Sequence, residues 1–307
     1  MTSIDALQPN RTPAELHAMA VTLEASGEYK VLRKLRPREA IQPPDGAPTR
    51  RGLFVDVETT GLDAARDEII ELAMVPFTYG LDGLIFEVQP PFHGFREPAI
   101  PVPAEITALT GITNEMLAGK SIDPAEVAAF AKDSALVVAH NAGFDRRFLE
   151  KFSDTFLALP WACSMTQIDW AAEGYEGTKL AYLAGASGFF YDRHRATNDC
   201  MAAIELLAAP LPISGALALA QLLEHARRPS WRVWAENSPF NMKEVLKARG
   251  YRWNADGNSS PRAWYIELED NKFEPELTFL KAEIYQREVD LRVHRLTAYN
   301  RFTDRRD

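Results

Sequence analysis

An apolar run, Leu53-Phe54-Val55, passes without interruption into Asp56-Val57-Glu58 and then Thr59-Thr60-Gly61. Alternate residues of a β-strand share a face, so Asp56 and Glu58 point the same way. Two carboxylates there cannot both be buried and charged without a counterion, and a divalent cation is the natural one. An exposed strand edge is the alternative, where Asp-Val-Glu is unexceptional. Gly61 permits a tight turn with backbone N–H groups free to face a ligand.

Two later segments repeat this arrangement. The run Ala135-Leu136-Val137-Val138-Ala139 ends in His140-Asn141, and Asp145 opens the next helix. Taken alone, Asp145 is also what a helix dipole favours in a first turn. The stretch from Asp192 places His194 on a loop and Asp199 on the first turn of a helix. Taken alone, these two read as surface residues. Jointly, the four acids and one histidine sit where strand ends and helix starts converge at one end of a sheet. Hard oxygen donors without thiolates or a histidine cluster select magnesium or manganese over zinc. Two such ions about 4 Å apart support in-line cleavage of a phosphodiester. His194 suits the proton of the attacking water, imidazole being the side chain that exchanges protons most readily near neutral pH.

The surrounding periodicity predicts strands at 52–57, 69–79, 84–89, 135–140 and 161–165, with helices at 103–109, 124–132, 143–152, 178–185 and 196–208. The fold class is α/β: a mixed five-stranded sheet, an antiparallel meander joined to parallel strands, flanked by helices. Residues 1–50 form a helical N-terminal extension and linker, with helical periodicity over 12–38 broken at Ser26-Gly27 and turn formers from Pro43 to Pro48. The core spans 51–209 and a connecting helix 210–228. Residues 229–307 form a small α+β module, in which four of the six tryptophans fall within 34 residues and an amphipathic helix is predicted over 274–296.

At Asp56 through Gly61, His140 through Asp145 and His194 through Asp199, the chain resembles the DnaQ-like 3′-to-5′ exonucleases of the DEDDh subgroup. Its nearest likenesses there are the exonuclease X and polymerase III epsilon-type branches. The sister subgroup has tyrosine four residues before the last aspartate; here that residue is Arg195, so His194 decides the subgroup. The resemblance covers roughly 51–209 and implies an RNase H-like fold. It further implies two divalent cations, Mg²⁺ or Mn²⁺. Asp56 would bridge them, Glu58 and Asp199 would hold the ion at the water, and Asp145 would position the second ion. By the same likeness Thr59, Thr60, Gly61 and Leu62 receive the 3′-terminal nucleotide, and His140, Asn141 and Phe144 support the strand. Core packing for Phe144 and a turn hydrogen bond for Asn141 stand as alternatives.

The implied activity is hydrolysis at nucleic-acid 3′ ends, releasing nucleoside 5′-monophosphates. Single-stranded DNA is favoured as partner, and an exoribonuclease or oligoribonuclease, a polymerase-associated proofreader and a repair enzyme are the alternatives. A non-catalytic nucleic-acid-binding protein is disfavoured, because all five positions are intact. Net charge is −9, which argues against a polyanionic partner. The charge is unevenly spread, however: residues 51–224 hold 11 basic and 24 acidic side chains, and residues 225–307 hold 16 and 13. The catalytic segment therefore has little general attraction for a duplex. The C-terminal segment interleaves Lys243, Lys247, Arg249 and Arg252 with aromatics, which suits unpaired bases and phosphates. Trp253 and Trp264 serve either that purpose or the module's own core. Only two cysteines are present, no apolar run is long enough for a membrane, and the N-terminus lacks a basic-then-apolar leader. A cytoplasmic, membrane-free protein is the expectation.

Overall fold

The computed structural model describes residues 11–255 and 261–303. The helix Pro13–Ala25 starts on a reciprocal cap between Thr12 and Glu15. Beyond it the predicted helical continuation is not found: Val31 to Leu35 are extended and include strand β1 (Arg33–Lys34). The backbone there is satisfied from outside, since Arg33 N donates to Gly188 O and Leu35 N to Phe190 O.

The central sheet is built from β2 (Thr49–Thr59), β3 (Ile69–Gly80), β4 (Ile85–Val88), β5 (Phe92–Phe95), β6 (Leu136–Ala139) and β7 (Trp161–Cys163). Its order is β4-β3-β2-β6-β7, with β5 pairing the far end of β3. β2 and β3 run antiparallel, whereas β2–β6 and β6–β7 are parallel. The five expected strands thus form the mixed sheet; β5 is an addition, seated antiparallel on Glu71 to Met74. A further strand, β8 (Phe189–Phe190), pairs in parallel with β1 outside this sheet.

Alternation along β2 separates two layers. Leu53, Val55 and Val57 pack with Val137, Phe148, Leu149 and Trp161 on one side. Phe54 packs on the other, with Ala203, Ile204 and Leu207 of the helix Ala196–Ala208. Asp56 and Glu58 share the parity of Phe54 and so lie on the face that this helix covers.

A second sheet, ordered β10-β11-β9-β12, comprises β9 (Ser230–Ala235), β10 (Arg252–Trp253), β11 (Trp264–Glu269) and β12 (Val293–Leu296), all antiparallel. The helix predicted over 274–296 is corrected. It runs as Asp270–Phe279, continues as a π-turn over Leu280–Tyr285 and ends at Gln286, whose φ is 52°. Leu296 is instead buried from a strand, because residues 293–296 gain backbone partners along Ser230–Val233.

The segment after β12 returns to the first sheet. Trp161 N donates to Ala298 O at 2.7 Å. Arg146, wholly buried, pairs with Glu150 and donates to the carbonyls of Tyr299 and Arg301 at 2.6 Å each. Arg301 in turn donates to Arg228 O and Ser230 Oγ. Among the described residues no helix is long and apolar enough to cross a membrane.

Candidate active site

Three of the singled-out carboxylates meet. Asp56 and Glu58 arrive from β2 and Asp199 from the first turn of Ala196–Ala208, each offering a ligand atom, all within 4.8 Å of one another. Asp145 is buried in the first turn of the helix Ala142–Phe152 and accepts the Val57 N–H at 3.2 Å. It stands beside Asp56, whose pKa it raises.

The electrostatics of this group are unbalanced. Burial first, then Asp145, Asp199 and Glu58, hold Asp56 well above the carboxylate range. Burial, with Asp199 and Glu71, lifts Glu58 to about 7, while Arg195 opposes. Burial lifts Asp145 to about 8 although backbone N–H groups, that of Val57 included, pull the other way. Asp199 is raised by burial against the pull of Tyr191, Arg195 and His194. Four buried or half-buried acids, each pushed toward its neutral form by burial, make a site short of positive charge. Hard oxygen donors at this spacing fit a divalent cation.

His194 is half-buried on the loop before the helix, with φ of 60°, a left-handed conformation uncommon for a residue with a side chain. The loop is held by Glu71, which sequence reasoning missed. Glu71 is 1% exposed, lies directly across from Glu58 in the β2–β3 register and accepts from three donors. These are His93 Nε2 at 2.7 Å, Arg195 Nε at 3.3 Å and Ala196 N at 3.4 Å. Tyr191 was also missed: its hydroxyl donates to Asp199 Oδ1 at 2.9 Å, and Arg195 N to Oδ2 at 3.1 Å. The one available signal for Glu71 is a lone charge in Ile69-Ile70-Glu71-Leu72-Ala73.

The remaining singled-out residues ring this centre. The Thr59 hydroxyl donates to Gly61 O, and the Thr60 hydroxyl bonds Asp67 and the Glu68 N–H. A Cβ on Gly61 would lie 2.5 Å from Asp67 Oδ2, an oxygen already held by Asp63 N, so a side chain there would push this carboxylate off its partners. Leu62 projects into solvent, 81% exposed. His140 is engaged within the protein: Nδ1 with the Ser164 hydroxyl at 2.9 Å and Nε2 with Thr178 O at 2.7 Å. Since Nε2 must donate to a carbonyl, neither ring nitrogen is left over, and burial lowers this imidazole's pKa. Asn141 is exposed at φ 83° with no side-chain cap bond. Phe144 is half-buried against the core and packs on Phe148 at 4.9 Å.

Residues 53–207, about half the chain, match the exonuclease family known as RNase_T. The chain belongs to this exonuclease family. The DnaQ-like resemblance and the RNase H-like α/β fold are thereby borne out, and the chain is an enzyme of the nuclease class. Among curated proteins the chain is similar to the PolC-type DNA polymerase III of Thermotoga maritima, 38% identical over 112 residues. These cover 36% of this chain and 8% of the relative. The polymerase of the same type from Caldanaerobacter subterraneus is 29% identical over 209 residues, or 63% of this chain and 14% of the relative. The chain thus spans less than a sixth of the length of either. Among solved structures, exonuclease X in complex with 5′-overhanging duplex DNA is 25% identical, with a TM-score of 0.39 over 57% of this chain and 90% of that one. Escherichia coli ExoI bound to single-stranded DNA is 16% identical, with a TM-score of 0.49 over 74% and 66%.

Proposed function

We propose that this exonuclease removes nucleotides from the 3′ ends of nucleic acid, single-stranded DNA by preference, and releases nucleoside 5′-monophosphates. The observation that carries this reading is the convergence of Asp56, Glu58 and Asp199 within 4.8 Å, with Asp145 beside them. These four acids would hold two divalent cations, Mg²⁺ or Mn²⁺. Bound there, such ions supply Lewis acidity toward the scissile phosphate and its leaving oxygen. The chain's own residues do the rest. His194 takes the proton of the water that attacks phosphorus. The bond from phosphorus to the 3′ oxygen of the penultimate nucleotide breaks, and that oxygen takes a proton from solvent water, leaving a new 3′ hydroxyl and a 5′-monophosphate. Thr59 through Leu62 form the turn that receives the terminal nucleotide, with exposed Leu62 against the last base. His140 holds the opposite turn through its two internal bonds, presenting Asn141, with Phe144 beneath it.

Incubation of 5′-labelled single-stranded DNA, duplex DNA and RNA with Mg²⁺ or Mn²⁺ tests this. A ladder shortening from the 3′ end, fastest on single-stranded DNA and lost in Asp199→Asn, is the expected result. Cleavage of none of the three in either metal contradicts it. The likeness to PolC-type polymerases supports a second reading, an exonuclease that acts together with a polymerase. A stable complex on gel filtration with a replicative polymerase is its mark.

A further inference from the structure

The second sheet has two unlike faces. Its register places Trp264 opposite Ala235, Ile266 opposite Val233 and Leu268 opposite Trp231; all but Trp231 pack into the module's apolar core, and Trp231 stacks on Phe273 at that core's edge. The intervening residues, Tyr265 opposite Trp234, Glu267 opposite Arg232 and Arg252 opposite Tyr265, occupy the other face. On that face the neighbour is the exonuclease core. The face forms one wall of a cleft of about 440 Å³ whose other wall is the exonuclease core, including Asn141 and Arg147 from the turn and helix that carry Asp145.

We propose that this cleft holds the unpaired strand immediately upstream of the 3′ end, so that the C-terminal module extends the active site. The proposal rests on the exonuclease reading above and adds where the strand runs. Charge is the first argument. Arg232 and Arg252 line the cleft with one carboxylate among the described residues, Glu267, which Arg232 holds at 2.6 Å and which stands 4.0 Å from Arg252, so the guanidinium charge of Arg252 is the less compensated. The second is shape. The guanidinium groups of Arg232 and Arg252 lie 5.3 and 5.1 Å from the ring centre of Tyr265, layering cations on an aromatic plane. Layers of this kind receive unpaired bases while their edges pair with phosphates. The third is an unmet donor: Trp234, 2% exposed and part of the same wall, has an indole N–H with no acceptor among the described residues. The cleft volume falls in the range of small-ligand sites, about 300–1,000 Å³, which suits a nucleotide or two and not a duplex.

The basic residues singled out earlier are placed differently. Arg249 is spent on Glu276 and Phe279, and Lys243 lies over Phe240. Of that group, Arg252 alone lines the cleft.

The test compares the full chain with Arg252→Glu and, as a control, Lys272→Glu on the helix behind the apolar face. Arg252 is exposed and its contact with Glu267 is long, 4.0 Å, so the substitution spares the fold. Binding of fluorescein-labelled dT20 is followed by anisotropy in EDTA, and cleavage of dT20 and of the dinucleotide pdTpdT is followed with Mn²⁺. Arg252→Glu is expected to weaken dT20 binding by about tenfold and flatten its salt dependence by roughly one ion. Dinucleotide cleavage should stay within twofold of wild type, and Lys272→Glu should behave as wild type. Equal dT20 affinity in the two variants overturns the cleft, as does an Arg252→Glu defect of the same size on dinucleotide and dT20. A wild-type chain that binds dT20 through Arg252 yet cleaves neither substrate upholds the cleft and overturns the hydrolase reading alone.

Discussion

Glu58 and Glu71 face each other across β2 and β3, a pairing of like charges that a sheet does not tolerate without compensation. Arg195 and His93 provide it on the Glu71 side. Glu71 therefore acts as a positioning residue, tying the start of the Asp199 helix and the strained His194 loop to the sheet. Glu71→Gln keeps the shape and removes the charge. It is expected to lower kcat about 10–100-fold, as losses of residues that orient ligands do, with KM for a short substrate little changed. A rise in KM alone would show that Glu71 has no part in orienting the centre. The raised carboxylates also set a pH dependence. Glu58 and Asp145 titrate in the folded protein near 7 and 8, above their unfolded values, so the fold binds the extra protons. Without metal, stability then falls as pH rises from about 4.5 through 8. Thermal unfolding in EDTA should show Asp145→Asn gaining several degrees over wild type at pH 8 and little at pH 5, with Mg²⁺ at pH 8 stabilising wild type. A wild-type advantage at pH 8 in EDTA would contradict this.

The helix Ala196–Ala208 and the loop before it are the element on which the site turns. Ala196 N and the Arg195 side chain are anchored to Glu71, and Tyr191 reaches Asp199 from the far side of the loop. β8 lies just ahead, paired with β1, and Lys34 bridges to Asp192 at 2.9 Å, so the N-terminal strand braces the segment that bears His194. Tyr191→Phe removes one donor from Asp199. Cleavage should fall about 10–100-fold, with a higher metal concentration needed for half-maximal rate. An unchanged metal titration would mean that Tyr191 only packs. Much of this element could be read from sequence: period-two alternation put Asp56 and Glu58 on one face, and a helix start located Asp199. The brace could not, because the two-residue pairing of Arg33-Lys34 with Phe189-Phe190 leaves no periodic trace across more than 150 intervening residues. The helical repeat misled at Leu291 and Leu296 for a related reason. Leu296 is buried through the strand partner Ser230–Val233, far away in the chain, and Leu291 lies half-buried against the module's core ahead of that strand.

At the scale of the molecule, the C-terminal segment is not a separable appendage. Arg146, on the same helix as Asp145, has no solvent exposure and spends its guanidinium on Glu150 and on carbonyls from residues 298–301. Arg146→Ala strands Glu150 and those carbonyls in the interior and should cost about 3–5 kcal/mol in urea unfolding. A loss under 1 kcal/mol would show that the two sheets are coupled by other contacts. Truncation after residue 228 has the same defect, so charge reversal at single positions reports strand binding more cleanly than deletion. The uneven charge acquires a location in part: four of the acidic side chains form the carboxylate centre, and guanidinium groups line the cleft between the core and the second sheet. Asp56, Glu58, Asp145 and Asp199 are proposed to form a divalent-cation centre that hydrolyses the terminal phosphodiester. Its most direct test is chromatographic measurement of nucleoside 5′-monophosphate released from single-stranded DNA by EDTA-treated protein as Mg²⁺ or Mn²⁺ is added back. No release in EDTA, saturable recovery with metal and no recovery in Asp56→Asn is the predicted result. Release that persists in EDTA, or at the wild-type rate in Asp56→Asn, would rule out a metal-dependent centre at these carboxylates.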